Sequence, residues 1–222
     1  MTQRTRIKIC GLTREADLAA AVDAGADAVG FVFYPKSPRA VSVARAAELA
    51  RGLPPFVTPV GLFVNAEPAL IDAAVAAIPQ LLLQFHGDET AEACEACQRA
   101  TGRPYLRAAR MGPGFALLDF AAAHANAAGI LLDAHVEGYG GGGKSFDWSL
   151  IPANVPRPVV LSGGLHPANV IDGITQVRPW AVDVSSGVEI VGGPKGHKDA
   201  ALMRQFCDAV READARIADA DN

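Results

Sequence analysis

Short, nearly unbroken apolar runs alternate with Ala-rich stretches along the whole chain. The runs are RIKICGL (6–12), DAVGFVF (27–33), TPVGLFV (58–64), LLLQFHG (81–87), YLRAAR (105–110), GILLDA (129–134), PVVLSGG (158–164) and AVDVSSG (181–187). Apolar runs without strict alternation are how strands buried on both faces read, as in a parallel sheet covered by helices. Between them the pattern predicts helices over 14–24, 43–51, 68–77, 91–101, 115–126, 167–177 and 199–217. Thr13 stands where a side chain caps the first helix and Gly25 where a left-handed residue ends it. Ser42 is placed to cap the second.

Strand then helix, repeated about eight times at roughly 28 residues per unit, predicts a (β/α)8 TIM barrel. An open doubly wound sheet is the alternative. Its dinucleotide form asks for G-x-G-x-x-G directly after the first strand, where this chain has only Gly11-Leu12-Thr13-Arg14. The sixth unit is irregular, with a Gly-rich loop and then a short helix at Asp147–Ile151. With no linker or mid-chain shift in composition, one domain spanning 1–222 is expected. Its core runs from about 6 to 217, and an acidic tail follows.

Composition narrows the classes. The chain has 222 residues, half of them hydrophobic, and its 20 Lys+Arg against 24 Asp+Glu give a net charge of −4. That supports a packed core and argues against disorder, and it offers no basic footprint for nucleic acid. No apolar stretch approaches the roughly 18 residues of a membrane span, and the first ten residues do not read as a signal peptide. Cys10, Cys94, Cys97 and Cys207 are too few for a disulfide scaffold, so a cytoplasmic protein with reduced thiols is expected. Cys94 and Cys97 form a C-x-x-C, but inside a helix and with no second ligand pair at zinc spacing. They read as packing residues, and no metal site is expected.

In such a barrel the chemistry lies at the C-terminal ends of the strands. There the sequence places Cys10, Arg39 in the loop after the second strand, His86, Asp133, Ser162-Gly163-Gly164 and Ser185-Ser186-Gly187. The last two turns follow strands seven and eight, where barrels bind phosphate, and small residues let backbone N–H groups approach an anion. A tight strand-to-helix turn would explain the same glycines. Cys10 is a candidate base, with Lys8 on the same side of the strand by alternation. Asp133 emerges from a buried run and is a candidate acid; a cap or a salt bridge to Arg107 or Arg110 is the competing reading. Arg39 suits a substrate carboxylate or phosphate. His86 and Asp183 are candidate substrate contacts, and Glu137–Lys144, with glycines at 138 and 140–143, is a candidate lid.

Taken together, Lys8-Ile9-Cys10-Gly11, Gly25–Phe33 with Tyr34–Arg39, Val60–Asn65, Gln84-Phe85-His86-Gly87, Leu132-Asp133, Gly143–Trp148, Leu161–Leu165 and Val182–Glu189 run in one order from residue 8 to about 199. In that set the chain resembles the phosphoribosylanthranilate isomerases. The resemblance implies a barrel that performs an Amadori rearrangement in tryptophan biosynthesis without a cofactor. It implies Asp133 as general acid, Cys10 as general base, Arg39 on the anthranilate carboxylate, and Gly163, Gly164, Ser185, Ser186 and Gly187 on the phosphate. The partner implied is a small phosphorylated molecule; monomer and homodimer both remain open. Phe85 stands where the family usually has Leu, and Ile190–Lys198 is longer and richer in Gly than the family leads one to expect. Ala213–Asn222 carries no assigned role. Two competitors are a neighbouring sugar-phosphate enzyme and a barrel that binds without turnover. An indole-glycerol-phosphate synthase would want a catalytic Lys and a longer N-terminus, a histidine-pathway isomerase an Asp where Cys10 stands. The binding-only barrel would need no acid–base pair.

Overall fold

The structure is a computed structural model and describes residues 4–134 and 146–221. Eight parallel strands close into a barrel in sequence order. They are β1 (Arg6–Cys10), β2 (Ala28–Val32), β3 (Thr58–Phe63), β4 (Leu82–Phe85), β5 (Tyr105–Met111), β6 (Gly129–Ala134), β7 (Val159–Leu161) and β8 (Ala181–Val184). Closure is direct: β1 pairs with β2 on one side and with β8 on the other, Lys8 standing opposite Ala28 and Asp183. Among the described residues seven helices cover the outside: α1 (Glu15–Ala24), α2 (Val43–Ala50), α3 (Pro68–Ala77), α4 (Ala91–Thr101), α5 (Leu117–Ala123), α6 (Val170–Val177) and α7 (Ala200–Ala220). The short helix of the sixth unit is a single 3-10 turn at Trp148–Leu150, capped by Asp147.

Side-chain alternation sorts two interiors. Outward residues such as Ile7, Ile9, Phe31, Phe63, Phe85 and Tyr105 join the helices in the main core. Phe85 fits there by packing on Tyr105 with ring centroids 5.6 Å apart, so the departure from Leu stays a matter of core packing. Inward residues Leu106, Ala108, Leu131, Val160 and Ala181 form a separate apolar floor. Above that floor the lumen is polar: Lys8, Gln84, Ser162 and Asp183, then Cys10, His86 and Asp133, are all buried.

Local chemistry explains most of the helix ends. Ser42 accepts from the Arg45 N–H, Thr90 caps α4 and Asp199 caps α7. Gly25 ends α1 at φ 95°, as expected. Thr13 does not cap α1: Arg14 holds that position without a capping bond and reaches forward to Asp17 instead. α6 starts three residues later than the pattern predicts. Asn169 explains it, accepting from the His166 N–H at 2.8 Å and donating to the Gly164 carbonyl at 3.0 Å, which folds the segment into a turn. α5 is shorter than expected at both ends and has no side-chain cap. α7 runs on to Ala220, and Asp214 accepts both the backbone N–H and the hydroxyl of Thr5, so most of the tail is helix fastened to the start of β1. Cys94 faces the core from the middle of α4 and Cys97 is half-buried; both are free thiols.

Candidate active site

Cys10 is the last residue of β1 and is only 4% exposed. The thiol has room because β2 offers a glycine beside it: a Cβ on Gly30 would lie 2.6 Å from Sγ. Two residues earlier on the same face, Lys8 donates from Nζ to Asp183 Oδ1 at 2.8 Å, and Ser162 donates from its hydroxyl to Asp183 Oδ2 at 3.3 Å. Each oxygen of Asp183 thus holds one side chain of the lumen. Burial, with the Asp183 charge, holds the Cys10 thiol above its ordinary range, and the Lys8 and Lys198 ammoniums offset only part of that. Burial works against the Lys8 ammonium too, but Asp183 and Cys10 outweigh it and Lys8 stays charged.

Asp133 stands near the end of β6, three strands round the barrel from Cys10. Its Oδ1 accepts from the Ala134 N–H at 2.9 Å, and its Oδ2 lies 3.0 Å from Nε2 of His86. On the far side of the ring Gln84 Nε2 is 3.0 Å from Nδ1. With the amide assigned as donor, the imidazole proton sits on Nε2 and points at Asp133. The sequence offers His86 as a candidate substrate contact; in the structure its Nε2 is bonded to Asp133. Neither arginine of β5 pairs with Asp133. Arg107 turns away and donates to the carbonyls of Phe85, Gly87, Ala108 and Glu89, while Arg110 pairs with Asp88.

Arg39 lies along Gly11, where a Cβ would meet its Cδ at 2.6 Å; Gly11 also has φ +77°. Its guanidinium is buried and donates from Nε and Nη2 to Glu189 at 2.6 and 3.2 Å. Glu189 also accepts from the Gly196 N–H at 3.1 Å and from Lys198 Nζ at 3.4 Å. Burial opposes its ionisation, yet the Arg39 bonds and the Lys198 charge hold its carboxyl below the usual range. Lys198, almost wholly buried, is pushed down to about 8, chiefly by burial. These three charges sum to +1, so the cluster suits one further anion. The long Ile190–Lys198 excursion thus folds back on itself, Glu189 bridging Lys198, to bring Lys198 under the mouth.

The turns after β7 and β8 lie against each other. Gly163 and Gly164 have φ +80° and +66°, and a Cβ on Gly163 would strike the Ala134 nitrogen at 2.6 Å. A Cβ on Gly187 would collide with the Leu165 carbonyl oxygen. Ser185 donates from its hydroxyl to the Cys10 carbonyl at 3.0 Å, and Ser186–Val188 forms a 3-10 turn. Backbone N–H groups of Gly163, Gly164, Ser186 and Gly187 meet no acceptor among the described residues. Backbone N–H groups left without an internal acceptor are what an anion site requires. The candidate lid, Glu137–Lys144, lies outside the described residues.

Sequence reasoning missed Gln84, Glu189 and Lys198 as parts of this site, and saw Lys8 only as a neighbour of Cys10. Their one signal was a charged or amide side chain within an otherwise apolar strand or next to a turn. Among the described residues no group of His, Cys, Asp or Glu could hold a metal ion, and no helix is long and apolar enough to cross a membrane.

Comparison with known proteins adds the family. A family model described as N-(5'-phosphoribosyl)anthranilate (PRA) isomerase matches residues 7–209. The chain is 71% identical over 217 residues to the N-(5'-phosphoribosyl)anthranilate isomerase of Leptothrix cholodnii, covering 98% of this chain and 96% of that one. It is similar to the crystal structure of phosphoribosyl anthranilate isomerase from Thermotoga maritima, with TM-score 0.84, 42% identity, and coverage of 94% of this chain and 99% of that one. A phosphoribosyl anthranilate isomerase in complex with reduced 1-(o-carboxyphenylamino)-1-deoxyribulose 5-phosphate matches with TM-score 0.81 and 40% identity, covering 94% and 99%.

Proposed function

The chain belongs to the N-(5'-phosphoribosyl)anthranilate isomerase family, and on that premise we propose how its residues divide the work. It is the isomerase of tryptophan biosynthesis that converts N-(5'-phosphoribosyl)anthranilate into 1-(2-carboxyphenylamino)-1-deoxyribulose 5-phosphate. Its ligand is a small phosphorylated molecule, and as an enzyme of amino-acid biosynthesis we assign it to the cytoplasm.

The reaction opens a furanose ring and moves a proton off C2, so it needs an acid at the ring oxygen and a base at C2. Asp133 is assigned the acid. It protonates the ring oxygen as the C1–O bond breaks, which leaves a Schiff base between C1 and the anthranilate nitrogen. The Nε2–H of His86 then stabilises the carboxylate left behind. Cys10 is assigned the base. Its thiolate takes the C2 proton, and the electrons of that C–H bond form the C1=C2 bond of an enolamine, which tautomerises to the ketone. Arg39 is assigned the anthranilate carboxylate, and the net positive charge of its cluster with Glu189 and Lys198 suits that monoanion. The phosphate is assigned to Gly163, Gly164, Ser185, Ser186 and Gly187, in two touching turns whose backbone N–H groups include several without an internal acceptor.

The observation that carries the reading is the pair of buried supports. Lys8 and Asp183 stand behind Cys10, and His86 and Gln84 stand behind Asp133, on separate strands of one mouth. A barrel that only binds has no use for either. The test is turnover of freshly generated phosphoribosylanthranilate, followed as loss of anthranilate-type fluorescence. Cys10→Ala and Asp133→Asn are each expected to lower kcat by about 10²-fold or more. Undiminished turnover in either removes that residue from the mechanism.

A further inference from the structure

Cys10 must carry negative charge to act as base, yet it lies in a buried lumen where burial pushes its thiol up. Some fixed positive charge has to offset that burial. The groups that face the thiol are Lys8 from its own strand, Asp183 from β8 and Lys198 from the loop before α7. Lys8 stands two residues before Cys10 on the same inward face of β1, and both side chains are buried; of the two lysines its charge lowers the thiol the more. The ammonium is also immobile, held by Asp183 at 2.8 Å, which Ser162 holds in turn at 3.3 Å.

We propose that Lys8 is a positioning residue for the base, its ammonium fixed by Asp183 and Ser162 so that the Cys10 thiolate forms beside a positive charge. The assignment rests on Cys10 being the base. No proton passes to or from Lys8; it remains an ammonium while Cys10 cycles between thiolate and thiol. A buried Lys–Asp pair is a poor way to stabilise a barrel, since well-packed apolar residues of similar volume serve as well or better. The apolar floor directly beneath shows that this lumen accepts such residues. The pair therefore has a use other than stability, and the thiol against it supplies one.

The experiment measures Cys10 alkylation by iodoacetamide from pH 6 to 10, read on the Cys10 peptide by mass spectrometry so that the other three cysteines do not interfere. Lys8→Met is expected to move the labelling midpoint up by a unit or more, which is about tenfold or greater loss of rate at pH 8. kcat falls in parallel while KM changes less than threefold. Lys8→Arg keeps the charge and stays within about threefold of wild type. Lys8→Met alone strands the Asp183 carboxylate, so the Lys8→Met/Asp183→Asn variant guards against a folding defect. It should still slow labelling, by less than Lys8→Met alone, because the charge beside the thiol is lost together with the carboxylate that holds it. An unchanged midpoint in Lys8→Met overturns the proposal. So does a double variant restored to wild-type labelling and kcat, since Lys8 would then serve only to neutralise Asp183. Labelling is independent of turnover: full activity in Cys10→Ala would instead break the assignment of the base.

Discussion

Gly30→Ala probes the base without touching its chemistry. The added methyl would sit 2.6 Å from Cys10 Sγ, 3.1 Å from its Cα and 3.2 Å from its Cβ. Ordinary non-bonded contact begins at about 3.5–4.0 Å, so the thiol has to retreat by roughly 1 Å. The backbone of β1 gives little, because Lys8, Ile9 and Cys10 are paired in register with Ala28, Val29 and Gly30. A misplacement of about 1 Å at a reacting atom costs on the order of 10²-fold in rate. Overpacking of this kind also costs about 1–3 kcal/mol of stability, and each kcal/mol lowers Tm by about 2–4 °C in a protein of this size. The expected variant is folded and melts several degrees lower, with kcat down about 10²-fold and KM nearly unchanged. Thermal melting and fluorescence kinetics on the same preparation check both halves. If Tm falls as expected but kcat stays within about threefold of wild type, the position of the thiol does not limit the reaction and the reasoning fails.

The acid makes a matching prediction. His86→Leu removes a charge-assisted hydrogen bond from Asp133, so kcat should fall about 10- to 100-fold with little change in KM; steady-state kinetics showing unchanged kcat would refute the support assigned to His86. His124, at the C-terminal end of α5 with its ring tilted against Phe120, concerns stability only. Burial, then Arg107, pushes its imidazole down to about 4, below the ordinary 6.5, so it folds neutral. Its contribution is intact above pH 6.5 and is lost as pH falls toward about 4, because only the unfolded chain takes up the proton across that window. His124→Phe should flatten the acid side of a urea-unfolding profile by up to about 1.4 kcal/mol per pH unit. An unchanged slope contradicts the assignment.

The strands were legible because parallel strands buried on both faces leave an unbroken apolar run, and α3 and α4 because Pro68 and Thr90 mark their starts. Helix starts failed where a side chain made a bond of its own, as Asn169 does before α6 and Arg14 does at α1. The mouth residues were legible for a different reason: barrel topology says where strand ends go, so Cys10, His86 and Asp133 could be placed from order alone. Their supports could not. Lys8 and Asp183 are 175 residues apart, Arg39 and Glu189 are 150 apart, and no periodicity encodes such a pairing. His86 was placed at the mouth without its bond to Asp133, because that bond crosses the lumen rather than running along the sheet.

The central claim is where the two ends of the substrate lie relative to Cys10 and Asp133. Crystals grown with reduced 1-(o-carboxyphenylamino)-1-deoxyribulose 5-phosphate test it directly. The account predicts the carboxylate on Arg39, the phosphate against the N–H groups of Gly163, Gly164, Ser186 and Gly187, and C2 within about 3.5 Å of Cys10 Sγ. A phosphate seated elsewhere in the mouth, or a C2 atom facing a side chain other than Cys10, would contradict it.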